Sequence, residues 1–301
     1  MITMSSMLEL GRLKRWRIIA AALAVISMAG CSTLRLAYNQ ADTLMYWWLD
    51  GYVEFAPTQA PRVRDAIAGW FEWNRRSELP DYAALLDSAA GEILNDTTSA
   101  RVCERVQEIR VRLDRAVQHA LPGAAVLAVG FDAAQLDRLE AKQAEAAAEL
   151  REEYLSPEPA ERRVAAVKRL RERTEQLYGK LDGKQRERLE RGVAQSSFDT
   201  ERWLTERERR QRDLAQALRA MQGGAPTADG VAPGTQPLQA MWQRVKRSPD
   251  ADYRRYQDEL MSYNCALAAD FHNGTTAEQR QAAQRQLRAW RADLLQLASP
   301  G

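Results

Sequence analysis

Pro159-Ala160-Glu161-Arg162-Arg163-Val164-Ala165-Ala166-Val167-Lys168-Arg169-Leu170-Arg171-Glu172-Arg173-Thr174-Glu175-Gln176-Leu177-Tyr178-Gly179-Lys180-Leu181-Asp182-Gly183-Lys184-Gln185 is the stretch that decides the fold class. Val164, Val167, Leu170, Thr174, Leu177 and Leu181 recur every three or four residues and trace one helical face. Pro157 and Pro159 part this helix from a preceding one that carries Leu136, Leu139, Leu150 and Tyr154. At the far end Asp182-Gly183-Lys184-Gln185 reads as a capping box, in which a short acceptor and a glutamine three residues on satisfy each other's backbone N–H groups. Asp132-Ala133-Ala134-Gln135 and Thr276-Ala277-Glu278-Gln279 repeat that signature. Phe55-Ala56-Pro57-Thr58-Gln59 is a looser case, with Pro61 just inside a helix. Phe131 and Leu181 precede two of the boxes and suit hydrophobic staples.

Outside this stretch, period-2 alternation and β-branched clusters are nearly absent. Apolar residues make up 45% of the chain, but many are alanines that each bury little area, which suits helix packing better than a thick sheet core. The expected fold is all-α: a multi-helix bundle of about seven to nine helices with no significant sheet. Residues 223–236, rich in glycine and proline, read as a flexible loop. They would join a main helical body, 31–222, to a C-terminal helical hairpin, 237–298, that packs on it.

The N-terminus reads as an address. Arg12, Lys14, Arg15 and Arg17 precede the apolar run Ile18–Ala29, the layout of a secretory signal over residues 1–30. That run is shorter than the roughly 20 apolar residues needed to span a bilayer. Met28-Ala29-Gly30-Cys31 resembles the lipobox of bacterial lipoproteins, although leucine is commoner where Met28 stands. The resemblance implies cleavage before Cys31, a diacylglycerol thioether on its sulfur and a further acyl chain such as palmitate on its nitrogen. Ser32 in second position implies sorting to the outer membrane, at its periplasmic face.

Charge and cysteine usage follow from this. The formal net charge is +2, but residues 1–30 hold four basic residues and one acidic, so 39 basic and 40 acidic residues remain. A nucleic-acid partner calls for a basic excess that is missing. With Cys31 given to lipid, Cys103 and Cys265 form an even pair in an oxidising compartment. A disulfide between an early and a late helix is expected, two buried thiols being the alternative. Leu44-Met45-Tyr46-Trp47-Trp48-Leu49, close behind the lipid cysteine, is expected to plug the base of the core rather than graze the membrane.

Two resemblances add to this reading. Trp47-Trp48-Leu49-Asp50-Gly51-Tyr52-Val53, then Trp73-Asn74-Arg75-Arg76-Ser77-Glu78-Leu79-Pro80-Asp81-Tyr82, Glu152-Glu153-Tyr154-Leu155-Ser156-Pro157 and Gln279 to Trp290 occur in this order. Together they resemble an uncharacterised family of helical lipoproteins of Gram-negative bacteria, known only as a domain of unknown function. It implies an anchored periplasmic domain and carries over no catalytic residue. Leu181-Asp182-Gly183-Lys184-Gln185 is similar to the Leu-Thr-x-x-Gln motif of Spy-type periplasmic chaperones, with Asp182 in place of threonine. A capping box explains the same residues.

Chemistry is hard to find. His119 and His272 have no partner at metal spacing, and both precede helix-stop residues, Leu121-Pro122-Gly123 and Asn273-Gly274. No phosphate-binding glycine loop or nucleophile elbow occurs, and no cofactor or metal site is expected. Glu152, Glu153, Glu158 and Glu161 lie amid arginines at spacings of solvated ion pairs. The least ordinary cluster is Trp70, Trp73, Arg75 and Arg76, a candidate partner surface, against which stands a pair of core tryptophans flanked by surface arginines. The expected function is therefore non-catalytic: an interaction or chaperone-like protein, membrane-bound through its lipid, with an envelope protein as partner. The alternative is an envelope enzyme acting on glycans through an unrecognised carboxylate pair.

Overall fold

The computed structural model describes residues 32–155, 158–222 and 234–299. The expected signal segment, Cys31 and most of the 223–236 loop lie outside them. Helices α1 (Ser32–Asn39) and α2 (Ala41–Val53) lead into α3 (Ala60–Trp73), which passes through a π-helical turn (Asn74–Glu78) into α4 (Leu79–Glu92). Then come α5 (Ser99–Ala128), α6 (Ala133–Leu155), α7 (Pro159–Tyr178), α8 (Gly183–Gln195) and α9 (Thr200–Arg219). Beyond the loop lie α10 (Gln236–Lys246), α11 (Ala251–Asn273) and α12 (Ala277–Ala298). There is no strand among the described residues.

Taking α3, the π turn and α4 as one rod, eleven helices stand among the described residues, more than the seven to nine expected. Gln40 divides the N-terminal segment into α1 and α2. Arg247, in extended backbone two residues before Pro249, ends the α10 segment, so three helices rather than a hairpin follow the loop. Elsewhere a stop was expected and none occurs. Pro122 sits inside α5, which runs on to Ala128. An interior proline costs about 3 kcal/mol; here Leu121, Ala125 and Ala128 are buried in one core around it and hold the helix together.

The capping boxes form as expected, and they do more than start helices. Asp182 and Thr276 each accept the N–H of Gln185 or Gln279, whose side chains accept from the cap residue in return. The two glutamines also bond each other: Gln185 Nε2 donates to Gln279 Oε1 at 2.7 Å, and Gln279 Nε2 donates back at 2.9 Å. Their remaining N–H groups reach Gly274 O and Lys180 O. Gln59 and Gln135 repeat the arrangement at the other core, donating to each other at 3.2 and 2.8 Å and to Gly130 O and Glu54 O. Four helix starts are thus joined two by two through fully satisfied amides.

Each glutamine pair stands beside one core. The first core gathers Leu121, Leu136, Leu139, Leu218, Met221 and Leu238 from α5, α6, α9 and α10. The second gathers Tyr178, Leu181, Leu189, Phe271 and Ala283 from α7, α8, α11 and α12. Leu181, the residue before its capping box, is buried there. Between the cores, α5 packs on α11 and α4 on α12. A disulfide joins Cys103 of α5 to Cys265 of α11, with Cα atoms 5.5 Å apart across 162 residues of sequence. The first and last described helices also meet, where Arg35 of α1 pairs with the buried Asp293 of α12 at 3.3 Å.

Candidate functional site

Two surfaces stand out. The first is α2, a helix apolar on both sides. Tyr46 and Val53 face inward and are buried. Leu44, Trp47 and Trp48, spaced i, i+3, i+4, form the opposite stripe and are 61%, 58% and 59% exposed. Leu36 on α1 is 65% exposed. The expected core plug is therefore half right: Tyr46 fills it, with the Arg64 guanidinium stacked 3.7 Å over its ring, while both tryptophans point outward. The helical period explains this, because at about 100° per residue Trp47 and Trp48 lie roughly 100° and 200° around the helix from the buried Tyr46. A helix apolar all round is ordinarily covered all round.

The second surface is a groove of about 830 Å³ walled by α7, α8 and α11, with the end of α6 and the α8–α9 connection at its mouth. Leu170, Leu177, Leu189, Val193, Leu267 and Phe271 line its floor. Arg162, Arg163, Arg169 and Arg173 stand around it, together with Glu153 and Glu161. Among the described residues none of these arginines has a carboxylate oxygen within 4.0 Å. Arg162 donates to Leu155 O, and Arg169 lies over the Tyr154 ring at 5.4 Å. The ion pairs expected for Glu152, Glu153, Glu158 and Glu161 are not among those of the described residues. Gly192 lets α8 approach α11 at the floor: a Cβ there would sit 2.5 Å from Leu267 Cδ1.

Neither surface contains a pair of converging buried carboxylates. Among the described residues Glu78, Glu206 and Asp293 are the buried acids, and each is held by arginine: Glu78 by Arg115 at 2.5 Å, Glu206 by Arg209 and Arg210 at 2.7 and 3.0 Å, Asp293 by Arg35. None of them lines the groove.

The tryptophan–arginine cluster is distributed among several helices. Trp70 Nε1 donates to Ala116 O at 3.0 Å, and Trp73 stacks on His119 with centroids 3.8 Å apart, so both rings knit α3 to α5. Arg75 bonds Asn39 Oδ1 and Leu297 O and lies over Tyr38, tying α1 and α12 to the π turn. Arg76 forms an exposed pair with Glu72 at 2.7 Å. His272, at a helix end as expected, is buried: Nε2–H donates to Asn95 O and Nδ1 accepts from Tyr178 Oη, both at 2.8 Å. Burial holds this imidazole below the ordinary histidine range and pushes the Tyr178 hydroxyl up to about 12.

Fold and surfaces together define an all-helical protein with two cores, an exposed aromatic face and an arginine-bordered groove. The chain belongs to a family of unknown function, DUF6279, whose family model matches residues 51–231, more than half of its length. No curated protein and no solved structure matches it. The matched segment holds both partners of the Gln59–Gln135 pair and most of the groove, while the exposed stripe of α1 and α2 precedes it.

Proposed function

We propose that this is a lipid-anchored envelope protein, held through Cys31 at the periplasmic face of the outer membrane, that acts by binding rather than by catalysis. The observation that carries the reading is the outward stripe of α2. Trp47, Trp48 and Leu44 are exposed on a helix that begins ten residues after Cys31, with Leu36 between them. An acylated Cys31 would hold this stripe against the bilayer, where tryptophan is favoured at the interface. The stripe then has the apolar cover that a helix of this composition calls for. One tail of this kind added to acyl chains makes release from the membrane slow.

The groove supports a binding role of an interaction or chaperone-like kind. Its floor is apolar, its four arginines have no carboxylate partner among the described residues and outnumber its two glutamates, and the buried acids lie elsewhere. The reading is tested by feeding radiolabelled palmitate to cells expressing the full chain or its Cys31→Ser variant and fractionating the membranes. The wild type should carry label and sediment with outer membranes, and the variant should do neither. An unlabelled wild type would overturn the anchor. In-vivo crosslinking that captures no specific partner or ligand would overturn the binding role.

A further inference from the structure

We propose that the groove between α7, α8 and α11 is a binding site for a single-chain anionic amphiphile, a free fatty acid, with the acyl chain on the floor and the carboxylate at the arginines. The inference deepens the binding role above and needs no particular site of anchoring.

The first support is a helix face left uncovered. The apolar stripe of α7 is sealed only at its C-terminal end, where Tyr178 and Leu181 are buried. Leu170 and Leu177 are half-buried, and Val164 at the other end is 69% exposed. A stripe that leaves the core in this way exposes carbon along a groove rather than at isolated points.

The second support is charge. Four arginines border the groove against two glutamates, Glu153 and Glu161, leaving an excess of two positive charges. Several arginines elsewhere are bonded to acids: Arg101 and Arg105 share Glu92, Arg209 holds Glu206 and Asp213, and Arg151 holds Glu201 and Glu208. Among the described residues Arg169 and Arg173, one turn apart on α7, have no such partner, and they suit fork-like bonding to one carboxylate.

The third support is what the walls lack. All three main walls are helices whose backbone groups bond internally, so an extended peptide would find no edge to pair with and would bury its own N–H and C=O groups unsatisfied. A peptide helix is about 10 Å across, so some 830 Å³ would hold only about two turns of it. An acyl chain carries no backbone polar groups and fits a carbon-lined floor that ends at cations.

The test uses a diazirine-bearing palmitate added to membranes that contain the full chain, followed by irradiation and peptide mapping. The account expects light-dependent adducts on peptides of α7, α8 and α11, separable from the light-independent acylation of Cys31. Arg169→Glu with Arg173→Glu, both exposed, should lower groove adducts at least tenfold with an unchanged melting temperature. Ala166→Trp, which fills the groove, should abolish them. Cys31→Ser should keep them, so loss of the anchor and loss of the site are told apart. Palmitate should compete and hexadecanol should not. Adducts that are absent, spread evenly along the chain or indifferent to the arginine variants would overturn the site. Equal competition by hexadecanol would overturn the role of the arginines. Stronger competition by lysophosphatidylglycerol or by an acidic helical peptide would overturn the assignment to a free acid.

Discussion

Gln185 and Gln279, 94 residues apart, donate their side-chain amides to each other while each also completes its own capping box. Gln59 and Gln135 likewise donate to each other 76 residues apart, Gln135 completing the box at Asp132 while Gln59 accepts the Ala56 N–H. A motif that serves locally to start a helix serves here to fasten two helix starts side by side, next to the core that each pair borders.

Gln185→Leu should therefore cost about 2 kcal/mol in urea unfolding, because it strips the Asp182 N–H and Gly274 O of their side-chain partner and takes one partner from the Gln279 amide. Gln279→Leu should cost a similar amount, and the double variant should cost less than the two combined, since the residues share partners. Strict additivity would show that the amides act only as separate caps.

The Cys103–Cys265 bond closes 162 residues of chain. Constraint of the unfolded chain by so long a loop contributes about 3–5 kcal/mol. Cys103→Ser with Cys265→Ser should lower the melting temperature by about 10 °C. Reduction of the wild type should match it, and a reductant without effect would mean the thiols are unpaired in solution.

His272 gives a pH dependence. Its folded pKa lies below the ordinary 6.5 because burial disfavours the imidazolium; the Asn95 carbonyl opposes this, Arg280 adds to it and Asp96 opposes it. The neutral ring's contribution is whole above about pH 6.5 and is lost as pH falls from there through the lower folded value. Urea midpoints should fall between about pH 7 and pH 5. His272→Gln should flatten that fall while lowering stability at neutral pH, and an equal slope in the variant would assign it to other groups.

Trp47→Ala with Trp48→Ala removes side chains that are more than half exposed, so the melting temperature should move little. Retention on anionic vesicles should drop at least tenfold, as measured by flotation with Cys31→Ser in the same chain. A double variant that floats as before would mean that the stripe does not touch lipid.

The helical class was legible because it rests on local signals: the Val164–Leu181 period and the boxes at Asp132, Asp182 and Thr276 all act within one or two turns. The glutamine pairing was not legible, since it joins residues 76 and 94 apart that only tertiary packing brings together. Pro122 misled for a related reason, its local cost being offset by burial of Leu121 and Ala125 against distant helices. The tryptophans of α2 were expected inside on composition, yet their phase relative to Tyr46 turns them out. The groove gave only one hint, the arginines that flank Glu152–Glu161, and that pattern read as ion pairing.

The anchor is tested most directly by mass spectrometry of the N-terminal peptide of the protein purified from envelopes. The account predicts a chain that begins at Cys31 and carries the added mass of a diacylglyceryl group and an amide-linked acyl chain. An unmodified Cys31, or a chain that still begins at Met1, would contradict it.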